Sequence, residues 1–313
     1  MSKVKSYLSL IKFSHTIFAM PFALIGFTLG VLANRYSVLP GWHTTVQPAW
    51  APHFLSSPFH EGSNLLLLFI LVVLCMVFAR SAAMAFNRYL DRSFDAKNPR
   101  TAIREIPKGI ISANSALRFV IINCIAFVAC TWFLNSLCFF LSPVALLVVL
   151  GYSYTKRFTA LCHIILGLGL SLAPIGAYLA VTGHFALLPI LFSFAVVFWV
   201  SGFDIIYALQ DIEFDKSQQL YSIPAALGKG KALRVSESLH FLSAVCVIFA
   251  GVYGGFHWSY WIGVTVFVGM LVYQHSIVKP HDLSKVNIAF MTANGIASVV
   301  FAVFVIADLF FIR

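Results

Sequence analysis

The sequence predicts an all-α membrane protein, with nine transmembrane helices around a central cavity and the amino terminus on the cytoplasmic side. Three observations predict it. The chain has 313 residues, 60% hydrophobic and only 10% charged, too little polar surface to solvate a soluble domain. Nine apolar runs divide it. The basic residues fall almost wholly in alternate loops, as the positive-inside rule requires. The net charge of +10 therefore belongs to membrane topology and is no sign of a nucleic-acid partner. All six cysteines, Cys75, Cys124, Cys130, Cys138, Cys162 and Cys246, lie in apolar runs without a C-x-x-C pair. Neither a disulfide framework nor a zinc site is expected.

Residues 1–13 carry Lys3, Lys5 and Lys12 and lead into the first apolar run, 17–33. Lys12-Phe13-Ser14-His15 reads as the start of a long helix rather than a cleaved leader. Pro21 predicts a kink within that run. Residues 34–63 are polar, with Pro40, Pro48, Pro52 and Pro58, and read as an extracytoplasmic loop. Its histidines, His43, His53 and His60, match no ligand spacing. The later spans read as 65–86, 117–133, 137–152, 161–181, 187–209, 239–253, 258–278 and 288–310, the third and fourth short for a crossing of about 20 residues. Three basic residues precede the first span, seven lie in 88–118, two follow the fourth span, four the sixth and two the eighth. These are 18 of the 21 Lys and Arg. They assign 88–118 and 210–238 to the cytoplasm and the carboxyl terminus to the outside.

At the end of the second span, Asn87, Asp91 and Asp95 are spaced i, i+4, i+8. Four residues turn a helix about 400°, so the three form one stripe that drifts about 40° per step. At the end of the sixth span, Asp204, Asp211 and Asp215 are spaced i, i+7, i+11, so Asp211 and Asp215 fall about 20° to either side of Asp204 on one narrow face. Both spans run inward and four spans separate them, the pattern of an approximate internal duplication. Ionisable groups at membrane depth are functional by default. Two opposed carboxylate clusters ringed by Lys and Arg suit a magnesium-bound diphosphate, with the acids on the metal and the cations on phosphate oxygens. Arg80 lies seven residues before Asn87, on the same face and two turns deeper. It either pairs with Asp204 or meets an anionic substrate group such as an aromatic carboxylate.

N-x-x-x-D-x-x-x-D at 87–95 and D-x-x-Y-x-x-x-D-x-x-x-D at 204–215 resemble the two aspartate-rich signatures of the UbiA-type intramembrane aromatic prenyltransferases. The run Asn98-Pro99-Arg100-Thr101-Ala102-Ile103-Arg104-Glu105-Ile106-Pro107-Lys108-Gly109 resembles that family's loop after the first signature. Tyr152-Ser153-Tyr154-Thr155-Lys156-Arg157 resembles its fourth-helix end. The resemblance spans about residues 2–277, makes 1–313 a single domain, and is nearest to the 4-hydroxybenzoate polyprenyltransferase branch, which includes enzymes prenylating a dihydroxynaphthoate for menaquinone. The loop at 34–63 is longer than the family's usual one.

The resemblance implies Mg²⁺, a polyprenyl diphosphate donor and an aromatic acid acceptor, in ubiquinone or menaquinone synthesis at a bacterial inner membrane. It implies a site facing the cytoplasm and no obligate protein partner. It assigns Asn87, Asp91, Asp95, Asp211 and Asp215 to metal and diphosphate. Asp204 stands opposite the first stripe, among the catalytic acids. Arg104 and Lys156 match diphosphate-binding positions, and Arg80 matches the one facing the acceptor's carboxylate. Metal-assisted ionisation would leave an allylic cation in a pocket that excludes water. Tyr152, Tyr154, Tyr178 and Tyr207 are candidates to steady it by cation–π attraction, or they pack in the bundle. The base that removes the ring proton is not readable here. A lipid-forming or haem-modifying prenyltransferase and, in a different class, a secondary transporter are the competing functions.

Cysteine-accessibility labelling checks the topology. A cysteine at Ser56 is expected to react from outside, and one at Ser112 only from the cytoplasm. Labelling of both from one side would change the span count by one.

Overall fold

The computed structural model describes residues 3–11, 18–35 and 64–311. Helices and turns account for these, with no strand among the described residues. Chain order gives α1 (Lys3–Leu10), α2 (Met20–Arg35), α3 (Leu65–Leu90), α4 (Arg92–Lys97), α5 (Ala113–Leu134) and α6 (Ser136–Thr155). Then come α7 (Cys162–Thr182), α8 (Leu187–Ala208), α9 (Ile212–Ser217), α10 (Ile223–Tyr253), α11 (Trp258–Ile277) and α12 (Asn294–Phe311), the last preceded by a π-helical turn, Ile288–Ala293. Eight apolar stretches are helical and long enough to cross a membrane, and α2 is an apolar helix short of that length. The expected outer loop lies outside the described residues from 36 onward, with its three histidines.

Two sequence expectations change. Pro21 makes no kink, because α2 starts at Met20 and its second residue sits in the first turn, where a missing N–H costs nothing. The prolines inside helices are Pro143 in α6 and Pro174 in α7. The cytoplasmic loop expected over 210–238 is largely helical. Ser222 caps α10 by accepting from Ala225 N at 3.2 Å, and a non-helical Gly228 (φ 77°, ψ 166°) kinks α10 and divides it into two helical stretches. Lys231 and Arg234 share the exposed face of the stretch after the kink, opposite buried Ala232, Leu233 and Ser236, and Lys229 is exposed beside the kink itself.

Helix α8 is the centre of the bundle. Its Phe192 and Trp199 are fully buried with Phe22 of α2, Tyr260 and Phe267 of α11, and Phe301 of α12. Within a bilayer the apolar effect does not drive helices together, so close packing and buried polar contacts must hold them. Ser236 and Ser243 of α10 donate to the Gly202 and Ala195 carbonyls of α8 at 2.7 and 2.8 Å. Asn294 Oδ1 accepts from Trp199 Nε1 at 2.9 Å and Gln274 Nε2 at 2.8 Å, while its amide donates to carbonyls of the π turn. One side chain thereby joins α8, α11 and the start of α12. Asp308, fully buried on α12, accepts from the backbone N–H groups of His257 and Tyr260 and satisfies the first turn of α11.

Two glycines let helices touch α7. A methyl at Gly26 of α2 would stand 2.0 Å from the Pro174 carbonyl oxygen, and one at Gly167 would stand 2.5 Å from both Ser201 Oγ and the Val197 carbonyl oxygen of α8. Gly26→Ala is therefore expected to lower stability in detergent by about 1–3 kcal/mol, the usual cost of overpacking. Gly151→Ala, where a methyl meets nothing within 4 Å, is expected to leave the melting temperature unchanged or raise it.

Candidate active site

Both acidic stripes lie where a long helix stops and a short one starts. Helix α3 ends at Leu90, Asp91 stands at φ −88°, ψ 5°, and α4 follows. Helix α8 ends at Ala208, a 3₁₀ turn runs over Leu209–Asp211, Asp211 stands at φ −106°, ψ 5°, and α9 follows. The sequence reading took each stripe as one continuous helix. Each chain segment instead breaks at its corresponding acid with nearly the same backbone conformation, as an internal duplication would leave it.

Asn87, Asp91, Asp95, Asp204, Asp211 and Asp215 all line one cavity of about 1020 Å³. Arg80, Arg104, Lys156, Tyr152 and Tyr207 line it as well. Below the acids the wall turns apolar, with Val72, Leu134, Leu170 and Ala177 among its residues. Tyr154 is not on this wall. It is 48% exposed and packs on Phe86 and beneath Arg157. Tyr178 is buried in the bundle against His184.

Each acid has a partner. Asp91, 2% exposed, takes Lys156 Nζ at 2.6 Å, Arg157 at 3.2 Å and the Asn87 amide at 3.2 Å. Asp95 takes Arg104 at 2.6 Å, with Arg88 at 4.0 Å. Arg100 grips both oxygens of Asp211, one at 3.1 Å, and donates to the Tyr207 hydroxyl at 2.9 Å. Burial works against the charge on Arg100, but Asp211 and Tyr207 outweigh it and hold its pKa above the ordinary guanidinium value. Asp215 accepts from Ser222 at 2.8 Å. Asp204 meets His163 Nδ1 at 2.7 Å. Asp204 is therefore not the partner of Arg80. Among the described residues no carboxylate lies within 4.0 Å of that guanidinium, and its Nε is buried without a hydrogen bond.

The sequence reading left Arg88, Arg100, Arg157, His163 and Ser222 out of the site. The two arginines at 100 and 157 lay inside the quoted motifs, so a signal was present. His163 stood alone at the head of an apolar run, where an ionisable group is itself a signal. Ser222 carried none.

The oxygen donors suit a hard divalent cation. Among the described residues no three His, Cys, Asp or Glu side chains converge into a finished metal cage. That fits Mg²⁺, which is commonly held by one or two carboxylates with substrate phosphates completing its shell. Asp95 lines the cavity, and its Oδ2 is buried without a hydrogen-bond partner, with only Arg88 near it at 4.0 Å.

The sequence profile of the UbiA prenyltransferase family matches residues 49–296. A 4-hydroxybenzoate octaprenyltransferase of Tolumonas auensis is 29% identical over 250 residues, covering 80% of this chain and 86% of that protein. The apo structure of a UbiA homolog from Aeropyrum pernix K1 superposes with a TM-score of 0.77 at 27% identity, covering 94% of this chain and 98% of that one. A UbiA homolog from Archaeoglobus fulgidus, solved bound to GPP and Mg²⁺, shares the fold at 20% identity with a TM-score of 0.68, covering 97% and 99%. The profile takes in both helix breaks and all the acids between them, and the chain that folds around them belongs to the UbiA prenyltransferase family.

Proposed function

We propose that this prenyltransferase joins a polyprenyl group to the ring of an aromatic acid, 4-hydroxybenzoate, ortho to its hydroxyl. The donor is a polyprenyl diphosphate, and the site faces the cytoplasm of a bacterial inner membrane. The observation that carries the acceptor class is Arg80. It lines the cavity with no carboxylate partner among the described residues, its Nε is buried without a hydrogen bond, and at 1.5 Å per residue it lies about 10 Å below Asn87. That depth is too great for the diphosphate and right for a ring bound beneath it. A planar guanidinium holds a carboxylate through two parallel hydrogen bonds. A dihydroxynaphthoate carries the same group and is the second reading. A secondary carrier would instead place its charged residues near the midplane in both halves.

Asn87, Asp91, Asp95, Asp211 and Asp215 would hold Mg²⁺, which would neutralise the diphosphate as it leaves. A homologue of the same fold from Archaeoglobus fulgidus was solved bound to GPP and Mg²⁺, which supports a prenyl diphosphate and Mg²⁺ as ligands of this chain. Arg104 and Lys156 are placed to grip phosphate oxygens. Arg100 and Arg157, which the motifs contain, join them. The apolar wall below receives the tail and excludes the water that would quench an allylic cation. The faces of Tyr152 and Tyr207 border that space.

Three measurements test this. EDTA is expected to abolish turnover and Mg²⁺ to restore it, while full activity in chelator would overturn the reading. Asp91→Asn or Asp211→Asn is expected to cut turnover at least about a hundredfold, about 2.7 kcal/mol of barrier, in protein that still inserts and folds. Arg80→Ala is expected to raise the KM for the aromatic acid at least about tenfold, about 1.4 kcal/mol, with little change for the donor. Lysine there should restore only part of the loss, since it lacks the planar fork. Equal weakening of both substrates would remove Arg80 from the acceptor site.

A further inference from the structure

Beside the residues proposed for the diphosphate and for the acceptor's carboxylate, the cavity wall holds a histidine. His163 opens α7, 3% exposed, and lines the cavity. Its Nδ1 stands 2.7 Å from Asp204 Oδ2. Its Nε2 is buried and has no hydrogen-bond partner. An ionised carboxylate only accepts, so the proton between them belongs to Nδ1; in the neutral form of that imidazole the lone pair is on Nε2. Nothing in the packing of the bundle uses that lone pair, and an unsatisfied buried polar atom is costly.

The ring is held in place from behind. Gly167, one turn along α7 from His163, touches α8 at Val197 and Ser201 with no room for a methyl. Ser201 Oγ stands 3.1 Å from the His163 carbonyl oxygen and 2.6 Å from the Val197 carbonyl oxygen, two acceptors that share its one proton. The backbone bearing the imidazole and the helix bearing Asp204 are thus locked together. Asp204 precedes Asp211 by seven residues, about 10 Å along the chain of α8, and the His163–Asp204 pair lines the same cavity as Arg80.

Resting on the aromatic prenyl transfer proposed above, we infer that His163, oriented by Asp204, is the base that takes the ring proton. The ring carbon beside the hydroxyl forms its bond to the first carbon of the prenyl group, and the bond from that carbon to the diphosphate oxygen breaks. The attacked ring carbon now carries both the prenyl group and its hydrogen. That hydrogen leaves as a proton to Nε2, and the C–H electron pair returns to the ring and restores aromaticity. This is the one proton the overall reaction releases. Asp204 stays ionised and stabilises the imidazolium through Nδ1–H, so it is a positioning residue in this step.

The test uses the purified full chain with donor, Mg²⁺ and an acceptor deuterated at the ring carbons beside the hydroxyl. The acceptor is whichever of 4-hydroxybenzoate or a dihydroxynaphthoate the wild type prenylates. If it prenylates neither, the reaction itself is misread and this inference falls with it. Given wild-type turnover, His163→Ala is expected to slow the reaction about a hundredfold and to make deuterium slow it at least a further twofold or so, because proton removal has become rate-limiting. Added imidazole should restore rate and diminish the isotope effect. The wild type should show almost no isotope effect. If His163→Ala is not recovered folded, His163→Gln, which keeps a donor for Asp204 and no basic nitrogen, is read the same way. Absence of an isotope effect in the variant, whatever its rate, overturns the proposal.

Discussion

A carboxylate cannot remain ionised at the mouth of an apolar bundle without a partner, and the architecture around this cavity follows from that constraint. Asp91, Asp95 and Asp211 each hold an arginine or lysine from another segment. The contacts run between distant parts of the chain. Arg100 reaches Asp211, Lys97 reaches Gln218, and the Tyr221 N–H donates to the Lys156 carbonyl at 2.7 Å. The loop after the first stripe is thereby fastened to the second half of the molecule by the same charges that make the site. Fold and site share one set of interactions, so substitution of these acids has to be judged for stability and for turnover separately.

The acids themselves were legible because their periodicity is local. A stripe at i, i+4, i+8 reads the same whether or not the helix is known, and all six predicted polar positions on the two stripes do line one cavity. Partners across helices were not legible, because they depend on how helices are turned toward each other. The choice between Asp204 and a substrate as the partner of Arg80 was open in the sequence, and only the placement of His163 beside Asp204 closes the first option. Tyr154 and Tyr178 followed the rule that aromatic residues near a site line it. Their outward and core-facing positions come from rotations that spacing alone does not give.

Helix limits were missed where composition misled. The basic residues at 229–234 look like a loop, although they stand at exposed positions of α10, interleaved with buried Ala232 and Leu233. The breaks at Asp91 and Asp211 carry no glycine or proline, so no local signal announced them. The two acids nevertheless share nearly the same backbone angles, φ −88° and −106° with ψ 5° at both.

The contacts at Gly26 and Gly167 bear on how the donor's tail is accommodated. They pin α7 to α2 and to α8 at points where backbone meets backbone or nearly so. Residues of α7 from His163 to Ala180 line the cavity, a course of about 26 Å along the helix axis. A wall seated this way does not swing aside to admit a longer guest. The reach available to a hydrocarbon chain is then set as in a gauge of fixed bore, by the bulk of the side chains met far from the charges, Leu134 and Phe185 among them. Tail length becomes a question of side-chain volume at a few positions rather than of helix movement.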